Sequence, residues 1–155
     1  MKRLIELNVN GELYEVAIQQ HRTLAEVLRE ELDLIGTKEA CNQGDCGSCT
    51  VILDGKTVTA CLILAVEADG RDVRTIEGIS DGGELNPVQK AFVEYGAIQC
   101  GFCTPGMVMS ATALLEENPN PTEDEVRMGI AGNICRCTGY TKIVEAILAL
   151  SEGGK

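Results

Sequence analysis

The sequence predicts an α+β protein in two parts, a small mixed-sheet domain over residues 1–79 and a helical domain over residues 84–155. Three observations carry that prediction. Apolar residues alternate with a period of two near the N-terminus and again after position 50. Beyond Ile79 the apolar period is helical, and most segments open on capping residues. The 8 cysteines fall into two sets of four with different spacings, one set in each part.

The elements follow in order. From Arg3 to Val9, Ile5, Leu7 and Val9 share one face of a strand, and Asn10-Gly11 is a two-residue hairpin turn. Glu12 to Ile18 returns with Tyr14, Val16 and Ile18 alternating. Thr23-x-x-Glu26 is a capping box, and Leu24, Val27, Leu28 and Leu32 form the stripe of one helix behind it. A cysteine loop runs from Glu39 to Cys49. Thr50 to Leu53 reads as a strand, Asp54-Gly55 as a turn, Thr57 to Ala60 as the partner, and Val73 to Ile76 as a further short strand. Hairpin, helix, loop, hairpin and strand make a mixed sheet with one crossing helix, as in the β-grasp fold.

Ser80-Asp81-Gly82-Gly83 is a turn-rich linker. Asn86-Pro87 opens a helix with Val88, Ala91, Phe92 and Tyr95 on one face. Thr104-Pro105 opens another, with Met107, Val108, Ala111, Leu114 and Leu115 as its stripe. Thr122-x-x-Glu125 is a second capping box, for a short helix stopping at Gly132-Asn133. Thr141 is placed to cap the last helix, striped by Ile143, Val144, Ile147 and Leu148. Four short helices predict a four-helix bundle.

Composition narrows the function. Only 3% of residues are aromatic and none is Trp, so each core must be aliphatic and small. A bound metal group that crosslinks four positions would add constraint to such a core. A net charge of −11 argues against a nucleic-acid partner. No signal peptide is visible, since Lys2 and Arg3 have no apolar run behind them, and the longest apolar run, Leu62 to Val66, is too short for a transmembrane segment. The expected compartment is cytoplasmic, where thiols stay reduced, which argues against reading the cysteines as disulfides.

Cys41, Cys46 and Cys49 read C-x4-C-x2-C, with Cys61 following. That is the spacing of a plant-type [2Fe–2S] ferredoxin. Thiolates are the soft ligands that hold iron, and Gly44 and Gly47 let a tight loop bring backbone N–H groups close to sulfur. A zinc site or a disulfide scaffold is the alternative. Cys100 and Cys103 read C-x2-C, and Cys135 and Cys137 read C-x-C. Cys103 and Cys137 lie just ahead of predicted helices, whose N-termini favour negative charge. By spacing alone, a four-cysteine zinc site fits this second set nearly as well. His21 reads as an exposed loop residue and Met107 as core. Ser48, Ser80 and Ser110 have no histidine partner in a recognisable motif, so no catalytic residue is assigned.

With their flanks, CNQGDCGSCTV, QCGFCTPGM and GNICRCTGY, the two quartets resemble the small iron–sulfur subunit of the molybdenum hydroxylases, the xanthine oxidase and carbon monoxide dehydrogenase family. The resemblance spans nearly the whole chain. It implies two [2Fe–2S] clusters and an electron-transfer role in a hetero-oligomeric oxidoreductase whose substrate chemistry lies on another subunit. Cys100, Cys103, Cys135 and Cys137 would bind the cluster nearer a molybdenum–pyranopterin centre, held by a large molybdenum-binding subunit. Cys41, Cys46, Cys49 and Cys61 would bind the cluster nearer FAD, on a medium subunit, or nearer another acceptor. Gln99 and Cys137 would face the pterin. A free-standing two-cluster ferredoxin is the alternative, and a zinc-structured interaction module a third reading.

Overall fold

Asn10 and Gly11 are both left-handed, with φ of 54° and 81°, the geometry of a tight hairpin turn. A computed structural model of residues 1–151 builds the first hairpin around them; residues 152–155 lie outside the described residues. Strands β1 (Lys2–Val9) and β2 (Glu12–Gln19) pair antiparallel, with Val9 opposite Glu12. Ile5, Leu7, Val9 and Ile18 are buried, and Tyr14 and Val16 half-buried, as the alternation requires.

A second hairpin, β3 (Thr50–Leu53) and β4 (Lys56–Thr59), turns at Asp54 and Gly55, also left-handed. β4 thus starts one residue earlier than the sequence reading placed it. β5 (Asp72–Arg74) joins the hairpins, parallel to β1 and antiparallel to β3, giving the sheet order β2-β1-β5-β3-β4. It stops short of Ile76 because Ile76–Gly78 winds into a 3-10 turn. A second such turn, Ala65–Ala68, had no signal in the apolar alternation.

The Thr23 capping box forms. Glu26 N–H donates to Thr23 Oγ1 at 3.2 Å, and Thr23 N–H donates to Glu26 Oε2 at 2.8 Å. Replacing Thr23 by alanine is expected to cost about 1 kcal/mol, read as a lower urea midpoint. Helix α1 (Leu24–Glu26) does not continue as an α-helix. Val27–Glu31 is π-helical, and Leu32 N–H reaches five residues back to Val27 O. Arg29 Nη1 donates to the carbonyls of Ile35 and Thr37, both at 2.8 Å, which ties the following loop to this widened turn.

The helical part comprises α2 (Pro87–Glu94), α3 (Thr104–Glu117), α4 (Glu123–Gly129) and α5 (Thr141–Leu148). Asn86 caps α2, accepting from Gln89 N–H at 2.8 Å, and Thr122 caps α4, accepting from Glu125 N–H at 3.3 Å. Three sequence expectations need correction. Tyr95 is exposed, because α2 ends at Glu94 and Tyr95 is its C-terminal cap. α4 ends at Gly129, before the Gly132-Asn133 pair. Thr141 is the first helical residue of α5 rather than its cap; the cap is Tyr140, left-handed at φ 70° behind Gly139 at 64°.

Two apolar cores result. Ile5, Leu7, Leu24, Leu28, Val51 and Leu53 belong to the first, and Phe92, Met107, Val126, Ile143 and Ile147 to the second. Ile52 joins the second core although it lies on β3. All four residues of β3 are buried, because one face meets the first core and α3 packs on the other. Arg74 of β5 also forks onto both carboxylate oxygens of Glu116 at the end of α3, at 3.0 Å each. Among the described residues no helix is long and apolar enough to cross a membrane.

Candidate metal centres

The β3–β4 hairpin places two cysteines of the first set. Thr50 pairs with Thr59, so Cys49 and Cys61 flank the open end of the ladder, and Ala60 N–H donates to Cys49 O at 3.2 Å. Both are buried, whereas Cys41 and Cys46 are half-buried on the loop ahead of β3. That loop coils through left-handed Asn42, Gly44 and Gly47, at φ 51°, 85° and 70°. The coil turns backbone N–H groups toward sulfur. Those of Gln43 and then Cys46 hold the Cys41 thiol down to about 6, with Cys46 N–H 3.4 Å from Cys41 Sγ. Burial pushes the Cys49 thiol up to about 12. The loop is therefore built to meet negative charge on sulfur at one edge and excludes water at the other.

The second set spans two corners of the helical part. Cys103 is the N-cap residue of α3, and Gly101, at φ 84°, turns the chain between it and exposed Cys100. Cys135 is buried and Cys137 exposed on the segment between α4 and α5. Burial pushes the Cys103 thiol up to about 12. Burial raises Cys135, but hydrogen bonds to its sulfur together outweigh burial: the Thr138 hydroxyl and N–H donate to Cys135 Sγ at 3.0 and 3.4 Å, Cys137 N–H and Cys103 add to them, and the thiol lies below its ordinary value. The thiol of Cys100 raises that of Cys137. The Tyr140 hydroxyl accepts Cys135 N–H at 2.9 Å, so the left-handed cap of α5 also fixes this loop.

Within each set the thiols come together in twos. Cys41 lies beside Cys46 and Cys49 beside Cys61, with Cys46 also near Cys49. Cys103 lies beside Cys135 and Cys100 beside Cys137, with Cys100 also near Cys103 and Cys135 near Cys137. A [2Fe–2S] cluster takes two thiolates on each of its two irons, so two adjacent pairs are the arrangement it fits. A single zinc ion would draw all four sulfurs equally around one point.

Gln99 is exposed and directly precedes Cys100, which lies beside exposed Cys137. His21 is exposed and Met107 buried. Sequence reading missed Asn133. Taken as part of a helix stop, it is buried between the two cysteine loops, and nothing in a local spacing marks a contact to residues so far away in the chain.

Comparison with known proteins agrees with this chemistry. Residues 7–75 match a family model described as a 2Fe-2S iron-sulfur cluster binding domain, and residues 75–148 one described as a [2Fe-2S] binding domain. The nicotine 6-hydroxylase small subunit of Paenarthrobacter nicotinovorans is 52% identical over 93% of this chain and 87% of its own length. The nicotinate dehydrogenase small FeS subunit of Eubacterium barkeri is 46% identical over 94% of this chain and 93% of its own. A crystal structure of quinoline 2-oxidoreductase from Pseudomonas putida 86 superposes with a TM-score of 0.93 at 44% identity, covering 99% of this chain and 93% of that one. Two [2Fe–2S]-binding domains in tandem define a two-cluster iron–sulfur protein. The chain belongs to the small iron–sulfur subunits of the molybdenum hydroxylase family.

Proposed function

We propose that this chain is the electron-transfer subunit of a multi-subunit molybdenum-containing hydroxylase or dehydrogenase. In this reading residues 1–79 are a β-grasp, plant-type ferredoxin-like domain whose Cys41, Cys46, Cys49 and Cys61 hold one [2Fe–2S] cluster. Residues 84–155 are a four-helix domain whose Cys100, Cys103, Cys135 and Cys137 hold the other. When bound, such clusters supply one-electron redox chemistry. The chain's own part is to supply thiolates, donate N–H groups to sulfur, and keep water from the buried ligands. The observation that carries the reading is the match of each cysteine set to its own [2Fe–2S]-binding family, together with the membership of the whole chain in the small iron–sulfur subunits.

The two sets differ in exposure, which gives the subunit a direction. Cys100 and Cys137 are exposed, and Gln99 is exposed beside them. This edge is the face for a molybdenum–pyranopterin centre on a large partner subunit, with Gln99 and Cys137 toward the pterin. The ferredoxin-like domain faces FAD on a medium subunit, or another acceptor. The complex works in the cytoplasm, where the thiols remain reduced. Relatives named for nicotine, nicotinate and quinoline make N-heteroaromatic compounds the first substrate class to assay on the assembled complex.

Co-purification tests the reading. The chain should come from its native source with a larger chain containing molybdenum. Recovery of the chain alone, with both clusters intact, would favour a free-standing two-cluster ferredoxin. Gln99→Ala should leave the iron content and both cluster signals unchanged while lowering turnover and pterin retention in the complex. Unchanged turnover and retention would confine Gln99 to a structural role.

A further inference from the structure

The loops that carry the two cysteine sets meet backbone to backbone. Ile134 N–H donates to Cys46 O at 2.9 Å, so Cys46 of one set is a hydrogen bond and one residue away from Cys135 of the other. The approach is closest at glycines. A Cβ on Gly106 would run into the Gly47 carbonyl, and one on Gly47 into the Gly132 carbonyl.

One side chain closes this junction. Asn133 is 5% exposed and both ends of its carboxamide are engaged. Nδ2 donates to Gly47 O at 3.0 Å and to Thr50 Oγ1 at 3.3 Å, and Oδ1 accepts from Ser110 Oγ at 2.7 Å. It therefore grips the first cysteine loop, β3 and α3 together. A buried amide satisfied at both ends holds one orientation. Its neighbour in the chain is Ile134, whose N–H makes the bond to Cys46.

We propose that Asn133 is the positioning residue that keeps the Cys46 carbonyl on the Ile134 N–H and thereby sets the electronic coupling between the two cysteine sets. The proposal rests on the reading that each set holds a [2Fe–2S] cluster. Asparagine is the residue the site requires. Aspartate matches its shape but turns an acceptor toward the Gly47 carbonyl, and alanine reaches none of the three partners. Without the clamp the loops separate and the hydrogen-bonded route becomes a gap.

The test uses the full chain with its clusters loaded, as wild type, Asn133→Ala, Asn133→Asp and Ser110→Ala. Iron per chain, the EPR amplitude of each reduced cluster, and the splitting that arises when both are reduced are measured on the same samples. Both Asn133 variants should keep iron and both signals while the splitting narrows. Ser110→Ala, which leaves both Nδ2 bonds in place, should keep the wild-type splitting. Wild-type splitting in either Asn133 variant would overturn the proposal. So would loss of a cluster in both of them, which would assign Asn133 to cluster retention instead. A wild-type chain lacking two cluster signals would overturn the underlying reading, and this proposal with it.

Discussion

Cys46→Ser is expected to remove about two of about four irons per chain and one of two [2Fe–2S] EPR signals. The Cys46 thiol lies beside that of Cys41, and serine replaces a soft sulfur with a hard oxygen that holds iron poorly. The second set should survive. Its cysteines lie on other segments, and its direct bond to Cys46, from Ile134 N–H, goes to the backbone carbonyl that serine keeps. Iron analysis and EPR of the purified variant check this. Loss of both signals would show that the two sites do not form independently, and retention of both would remove Cys46 from the ligand set.

Gly47→Ala is expected to destabilise the chain by about 2–4 kcal/mol, from two separable causes. Gly47 has φ of 70°, where a side chain costs about 1–2 kcal/mol. Its new Cβ would also press on the Gly132 carbonyl and on Asn133 Cα at 3.0 Å, so backbone must shift at the junction of the cysteine loops. Gly55→Ala isolates the first cause. Gly55 is equally left-handed, at φ 80°, but a Cβ there meets nothing within 4 Å. In denaturant titrations the Gly47 variant should lose clearly more than the Gly55 variant. Equal losses would show that the loops are not held in close backbone contact.

What the sequence could reveal follows the range of the interactions. The Asn10-Gly11 turn and the Thr23 and Thr122 boxes depend on neighbours two or three residues apart, and each forms as read. The cysteine spacings were also visible, because a cluster loop must place thiols at fixed short intervals. The both-sided burial of β3 was not, since it depends on α3 packing across the sheet from far along the chain. Thr141 misled for a local reason. Gly139 and Tyr140 take left-handed backbone, so the chain enters α5 one residue earlier than a threonine cap at Thr141 would give. Asn133 had no short-range signal at all, because its partners Gly47, Thr50 and Ser110 come from distant segments.

The most direct measurement is the iron, zinc and acid-labile sulfide content of the purified chain. Two [2Fe–2S] clusters predict about four irons and about four sulfides per chain, with no stoichiometric zinc. Stoichiometric zinc without labile sulfide would contradict the cluster assignment of both cysteine sets, and with it the electron-transfer role.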